Sequence, residues 1–274
     1  MGTTVDAGAA VAALESNLWS MWRQFGLGDG CRLVDEPELL RFETPVAQLP
    51  YNSVMRTRLD DGDGDDVIAA VLAGCRARGV PPVWLVHPTS RPRDLGRRLE
   101  RHGLAMAEPI TGMVAPSDAL PDLAGEPPLP DGVTVEEVPP GGEGPYLELL
   151  AWRYDLPSDA VAVLRSIMAT AGFGVPGSGN RMWIARRGDQ VLSKVGLHQR
   201  DGVGGVYGVV TRPEARGLGL ARRLTLVALD AARRDGAALA VLHSTPAAVS
   251  LYRALGFAPT ADFQLHAEPG TLHL

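Results

Sequence analysis

Two cysteines in 274 residues, Cys31 and Cys75, are too few for a disulfide framework, and neither stands in a C-x-x-C spacing that suits a metal. A reducing compartment is the simpler expectation. Lysine is scarcer still: of 26 basic residues all are arginine except Lys194. Together with the load of Ala, Gly and Pro this reads as the codon usage of a GC-rich genome and assigns no function. No apolar run approaches the ~18 residues of a membrane span. Met1 to Ala13 has neither the basic start nor the apolar stretch of a signal peptide, so a cytoplasmic location is expected. Gly-Lys-Ser/Thr occurs nowhere, which excludes a P-loop. The net charge of -6 argues against nucleic acid or an anionic membrane as partner, since both require positive potential.

What is present is an ordinary globular composition, 45% hydrophobic and 21% charged, long enough for one large or two small domains. The clearest break is Ala115–Gly132, where five prolines interrupt all periodicity. This divides the chain into 1–116, a linker over 117–131 and 132–274. Beyond the linker, Val133–Val138 reads as a strand. Helical spacing follows over Pro145–Tyr154 and Asp159–Ala171, the second with Ser158 as a cap. The glycine-rich Gly172–Asn180 then leads into strand-like runs at Arg181–Arg186, Val191–Gln199 and Val206–Thr211, an antiparallel meander. Leu220, Leu224, Val227 and Ala231 mark a helix, Ala238–His243 a short buried strand, Pro246–Leu255 a helix and Phe257–His266 a last strand. Val67–Val114 repeats the order of Leu220–Ala267, with His102-Gly103-Leu104 matching Leu255-Gly256-Phe257 and a histidine, His87 or His243, closing each strand. A tandem duplication accounts for both.

The chemistry concentrates where a strand runs into an amphipathic helix through Thr211-Arg212-Pro213-Glu214-Ala215-Arg216-Gly217-Leu218-Gly219-Leu220-Ala221. Gly217 and Gly219 let the backbone turn tightly and present N–H groups, and the helix adds the positive end of its dipole: a cradle for a pyrophosphate. Arg212, Arg216, Arg222 and Arg223 add positive charge around it. The dinucleotide fingerprint fails, because Arg222 stands where its third small residue belongs and no strand with a terminal acidic residue follows.

Arg216-Gly217-Leu218-Gly219-Leu220-Ala221 does match the Q/R-x-x-G-x-G/A signature of the GNAT acyltransferases, at that family's position between its fourth strand and third helix. Pro246–Phe257 resembles the family's closing helix, whose tyrosine, here Tyr252, precedes Gly-Phe. The resemblance covers about Val133 to Leu274. It implies an α/β fold with two GNAT-like domains in tandem, each a mixed, mostly antiparallel sheet flanked by helices, the first worn. It implies acetyl-CoA, or another acyl-CoA, as co-substrate and no metal. Val209, Val210 and Thr211 would flank the pantetheine arm together with Ser244, where relatives commonly carry asparagine. Arg216, Gly217, Leu218, Gly219, Leu220 and Ala221 would hold the pyrophosphate. An amine attacks the thioester, a backbone N–H near Val210 holds the oxyanion, and Tyr252 is the expected proton donor to the leaving sulfur.

The implied function is N-acetyltransfer to a small-molecule or protein amine. A carrier-protein or aminoacyl-tRNA donor, or a non-catalytic CoA-binding module, are the alternatives, and a homodimer is compatible. The family's glutamate on the fourth strand is missing, which leaves His198, His243, Glu148 or water as base. In the worn half Leu99 stands at the place of Tyr252, so no productive acyl-CoA binding is expected there. Trp19 and Trp22, with Leu14 and Leu18 on an early helix, read as packing. Asp60–Asp66 lacks the closing glutamate of a calcium loop and reads as a solvated turn.

Overall fold

In the computed structural model, which describes residues 6–271, Asp6 opens the first helix by accepting the N–H of Ala9 (2.9 Å). That helix, α1 (Ala7–Trp22), buries Leu14, Leu18 and Met21. The first half continues through β1 (Arg32–Asp35), β2 (Leu39–Glu43), β3 (Ser53–Thr57), α2 (Gly64–Arg78), β4 (Val83–Val86), α3 (Leu95–Arg101) and β5 (Ala105–Pro116). The second half comprises β6 (Val133–Glu137), α4 (Gly144–Tyr154), α5 (Ser158–Thr170), β7 (Asn180–Arg187), β8 (Gln190–Arg200) and β9 (Val203–Thr211), then α6 (Leu220–Arg234), β10 (Leu239–Ser244), α7 (Val249–Arg253) and β11 (Ala258–Ala267). Ser158 does not cap α5 but begins it, and the Asp159 carboxylate accepts the N–H of Ala160 (2.9 Å).

All eleven strands join one sheet in the order β1-β2-β3-β4-β11-β5-β10-β9-β8-β7-β6. The halves are tied by exchanged strands: β5 pairs with β10, β11 pairs with β4, and β5 and β11 pair with each other at the centre. The repeat legible in the sequence thus becomes an approximate twofold between β5 and β11, with a parallel pair, β3–β4 or β9–β10, on either side.

Alternation along the strands separates two faces. On one, Leu85, Ile110, Val114, Val241 and Phe263 pack under α1, and Met182, Ile184 and Val210 pack under α4. On the other, Met113, Ala115, Ala240 and Leu242 pack against α6, while Val54 and Trp84 pack against α2 and α3. Helix α1 lies close enough to require glycine beneath it. A Cβ on Gly205 would fall 1.9 Å from Asn17 Oδ1, and one on Gly112 would fall 3.0 Å from Leu14 Cδ1. In return Asn17 Nδ2 donates to the carbonyls of His198 and Val203 (both 3.2 Å) and its Oδ1 accepts the Tyr207 hydroxyl (2.7 Å). The proline-rich segment packs too: Leu120, Leu123 and Leu129 join the core that holds α6.

Candidate active site

Each parallel strand pair splays at its end, but only one splay is open. In the first half β3 and β4 pair only as far as Val54 and Trp84. Beyond that, His87 to Arg91 fills the gap: Arg91 N–H bonds Thr57 O (2.9 Å), and the Trp84 indole donates to Thr57 Oγ1 (2.8 Å). His87 is held in turn by Glu15 of α1 (2.8 Å), whose carboxylate also accepts the hydroxyl and N–H of Thr89. In the second half pairing between β9 and β10 ends at Val206 and Leu242. There β9 also carries a bulge against β8, with Gly208 at φ 57° and Gly208–Val209 set opposite a single residue.

A cavity of about 330 Å³ opens at this splay and passes through the sheet. On the α6–α7 face it is lined by Val209, Leu242, Ser244, Thr245, Ala248 and Tyr252. On the α1–α4–α5 face it widens into a chamber bounded by Leu18, Met21, Trp22, Phe25, Tyr146 and Ile167, among others. Trp22 is therefore cavity wall as well as packing. Phe173, in the glycine-rich loop that joins α5 to β7, lines the chamber too.

The glycine turn stands at the start of α6. Gly217 and Gly219 have φ of 78° and 74°, a left-handed conformation that disfavours side chains, and a Cβ at either would meet only open space. No side chain caps α6, and Arg223 donates its N–H to Gly219 O (2.9 Å), so the N–H groups of Leu220, Ala221 and Arg222 precede the first helical bond. Gly217, Leu218 and Gly219 are exposed, Ala221 is half-buried and Leu220 anchors the core. Of the four nearby arginines, Arg216 is exposed and has no carboxylate partner among the described residues. Arg222 is engaged bidentately by Glu126 (2.6 and 2.7 Å), Arg223 bonds Pro127 O, and Arg212 bonds Val191 O (2.8 Å) and stacks on Trp152. The positive charge of the cradle is thus narrower than the sequence suggests.

Val210 is buried; Val209 and Thr211 are half-buried. Ser193 donates its hydroxyl to Val210 O (2.9 Å) and shares a hydrogen bond with Thr211 Oγ1 (2.8 Å). Ser244 turns its hydroxyl onto Thr245 O (2.8 Å). Tyr252 packs edge-on to Phe257, and burial pushes its phenol up to about 12.

The groups weighed as base are placed differently. His198 lies between Asn180 Oδ1 (2.7 Å) and Ser20 Oγ (2.9 Å), with both ring nitrogens occupied, and burial lowers it to about 4. Glu148 is exposed and lies 3.8 Å from Arg212. His243 lines the cavity; its ring is held edge-on to Phe263, both nitrogens are buried without partners, and burial lowers it to about 3.

The group that sequence reasoning passed over is Lys194 on β8. It is 1% exposed, lines the cavity, and donates from Nζ to Gly208 O of the bulge (2.8 Å) with the Tyr146 ring 4.2 Å away. No carboxylate lies within ion-pairing distance among the described residues, and burial brings the amine down to about 7. Its one signal in the sequence was a lone lysine among the apolar residues of a strand. Among the described residues no cluster of His, Cys, Asp or Glu could hold a metal ion, and no helix is long and apolar enough to cross a membrane.

Comparison with known proteins agrees with this geometry. Residues 148–257 match the Acetyltransferase (GNAT) family. A curated relative, the mycothiol acetyltransferase of Streptomyces avermitilis, is 32% identical over 228 residues, 79% of this chain and 69% of its own length. Among solved structures, a GCN5-related N-acetyltransferase from Kribbella flavida aligns with a TM-score of 0.67 at 19% identity over 94% of this chain and 96% of that one. A tandem GNAT protein from the clavulanic acid biosynthesis pathway aligns at 0.61 and 13% identity, covering 96% of each chain. The signature turn, the repeated half and these likenesses together establish that the chain belongs to the GNAT family of N-acetyltransferases, as a tandem-type member.

Proposed function

We propose that the protein transfers an acetyl group from acetyl-CoA to a primary amine of a small molecule by direct attack, with the second half as the catalytic domain. The observation that carries this reading is the passage through the sheet at the β9–β10 splay, which joins the glycine cradle side to an enclosed chamber. The residues fit the co-substrate. Gly217 and Gly219 leave open space above a turn with uncommitted N–H groups, and Arg216 supplies an unpaired cation. Leu218, Leu220 and Ala221 shape that turn; Val209, Val210, Thr211 and Ser244 flank the arm. An enclosed chamber suits a small acceptor better than a protein side chain, in keeping with the name of the curated relative.

Unpaired backbone at the Gly208–Val209 bulge supplies the donor for the oxyanion. Lys194 accepts the proton that the attacking nitrogen releases as the C–N bond forms; a lysine near neutrality is suited to that task. Tyr252 hydrogen-bonds the leaving sulfur as the C–S bond breaks. At about 12 its phenol lies far above a thiol near 8.5, so it stabilises the thiolate rather than surrendering its proton outright. The thiolate gains one proton and Lys194 returns one, which leaves the protein unchanged.

The test is calorimetric titration of the full chain with acetyl-CoA beside Gly219→Glu, which forces a side chain and a negative charge into a left-handed position. Micromolar binding by the wild type that the variant loses is expected. No binding by the wild type would remove acetyl-CoA as donor.

A further inference from the structure

All five tyrosines of the chain, Tyr51, Tyr146, Tyr154, Tyr207 and Tyr252, line the cavity at the open splay. Where a tyrosine serves the fold its hydroxyl is engaged: Tyr207 donates to Asn17 Oδ1 (2.7 Å) and so ties β9 to α1. Tyr252 stands on the α6–α7 side, at the leaving sulfur on the reading above. The other three line the acceptor chamber, and none of their hydroxyls has a hydrogen-bond partner among the described residues. Two of these side chains are almost wholly enclosed, Tyr51 at 3% exposure and Tyr146 at 5%. A hydroxyl taken out of water without a partner costs free energy, and phenylalanine fills the same wall without that cost, as Phe25 and Phe173 do. The three hydroxyls therefore call for a partner that the chain does not supply.

Their placement indicates what that partner is. Tyr146 lies at the reacting end, its ring 4.2 Å from Lys194 Nζ. Tyr51 and Tyr154 belong to the neighbouring packing group, with Leu164 and Ile167 of α5. Burial raises all three phenols above the ordinary 10, and the nearby Tyr154 adds to the rise at Tyr51 and Tyr146, so all keep their protons at neutral pH. Each then offers one donor and two acceptor positions. No Asp, Glu or Arg lines the cavity, so neither an ammonium nor a carboxylate finds a counter-charge beside Tyr51 and Tyr154. A hydroxyl, which donates and accepts as the phenols do, is satisfied there without one. The volume, about 330 Å³ including the acyl end, stands at the small limit of ligand sites and leaves room for a single ring or a short chain.

We infer, on the acyl-transfer reading above, that the acceptor is a compact monoamine with an uncharged hydroxyl at the end away from its nitrogen, and that Tyr51 and Tyr154, with Tyr146 beside them, are the residues that select it. The nitrogen lies at Lys194, and the hydroxyl supplies the partner that the phenols lack. An amine of the same shape without the hydroxyl leaves them unpaired.

The experiment measures acetylated product by mass spectrometry with the full chain and saturating acetyl-CoA, on two matched pairs: tyramine against 2-phenylethylamine, and 5-aminopentanol against pentylamine. Cadaverine, which puts a second ammonium where the hydroxyl would lie, is run beside them. Binding of each amine without acetyl-CoA is recorded by saturation-transfer NMR. In at least one pair the hydroxylated amine should exceed its deoxy partner at least about 100-fold in kcat/KM, since a site built to hydrogen-bond a hydroxyl rejects the analogue that lacks it. Tyr51→Phe and Tyr154→Phe, which keep the ring and delete the hydroxyl, should each reduce that ratio at least about tenfold. Equal turnover within both pairs, a ratio that neither variant moves, or a preference for cadaverine would overturn the inference while leaving acetyl transfer intact. If acetyl-CoA does not bind, the acyl-transfer reading fails, and the NMR arm still decides the chamber. Tyramine or 5-aminopentanol bound by the wild type and weakened in Tyr51→Phe supports a hydroxyl-reading site, and binding of neither refutes it.

Discussion

Replacing Lys194 should move stability and activity in opposite directions. The side chain is 1% exposed, and burial takes it from an ordinary 10.5 to about 7. Between those values the unfolded chain carries a proton that the folded chain lacks. The folded state is therefore penalised increasingly as pH falls from about 10.5 to about 7, and the full penalty is reached below 7. The interval spans 3.5 pH units, and at 1.36 kcal/mol per unit the penalty is of order 5 kcal/mol. Lys194→Met keeps the length of the stem, removes the charge, and loses one hydrogen bond to Gly208 worth about 1 kcal/mol. A net gain of about 2–4 kcal/mol is expected at pH 6.5, in line with other replacements of buried charges by apolar groups. Urea unfolding at pH 6.5, 8.5 and 10.5 reads it, and the gain should shrink with pH until it vanishes near 10.5. Over the same variant kcat/KM should fall at least about 100-fold, and the acid limb that the wild type shows near pH 7 should disappear. A variant less stable at pH 6.5, or a gain that does not depend on pH, would refute the buried unpaired amine; undiminished turnover would remove Lys194 from the chemistry.

Three further outcomes follow from the same geometry. Tyr252→Phe deletes a hydrogen bond made only to the departing sulfur, so steady-state kinetics should show kcat down about 10- to 100-fold with the KM for acetyl-CoA nearly unchanged; a KM effect alone would make Tyr252 a binding residue. Gly205→Ala sets a methyl 1.9 Å from Asn17 Oδ1, and displacement of α1 should cost about 1–3 kcal/mol by urea denaturation; an unchanged midpoint would contradict the close approach. His198 and His243 lie at about 4 and about 3, below the ordinary 6.5, so the folded state resists their protonation and stability should fall as pH drops from 6.5. By pH 4.5 the two together remove about 5 kcal/mol, and His243→Phe should roughly halve the slope; an identical slope in that variant would show that His243 is not held neutral.

What the sequence made legible was local. The strand, glycine turn and helix at Thr211–Ala221 depend on backbone conformation that Gly217 and Gly219 alone specify, and α6 begins at Leu220 as the spacing indicates. The closing helix that carries Tyr252 and the repeat were legible for the same reason, being matters of spacing. The residues missed are those whose character comes from distant partners. Lys194 is an unremarked lysine until Tyr146 of α4 covers it. Trp22 faces ligand space only because the splay opens beneath α1. Arg222 belongs to the cradle by sequence, yet Glu126 of the proline-rich segment, 96 positions earlier, holds it. The exchange of β5 and β11 is invisible to periodicity, since each strand reads the same whichever half it joins.

The duplication places the same splay in both halves, and its surroundings explain why one is open and the other filled. Both halves place a parallel strand pair beside a helix, and both end the second strand at a histidine, but the two histidines meet different surroundings. His87 is tied to Glu15 and its loop closes over Thr57, so the first splay is occupied by the chain itself. His243 meets no such partner, and Gly208 bows the facing strand outward. With its own cleft filled, the first half is free to serve as wall: Met55 and Leu85 close the chamber, and α1 spans both halves above it. The exchanged strands then fix the relation between wall and cleft, because shifting either half would break the β5–β11 pairing at the centre of the sheet. A filled first splay and an enclosed chamber at the second are two consequences of the same closure.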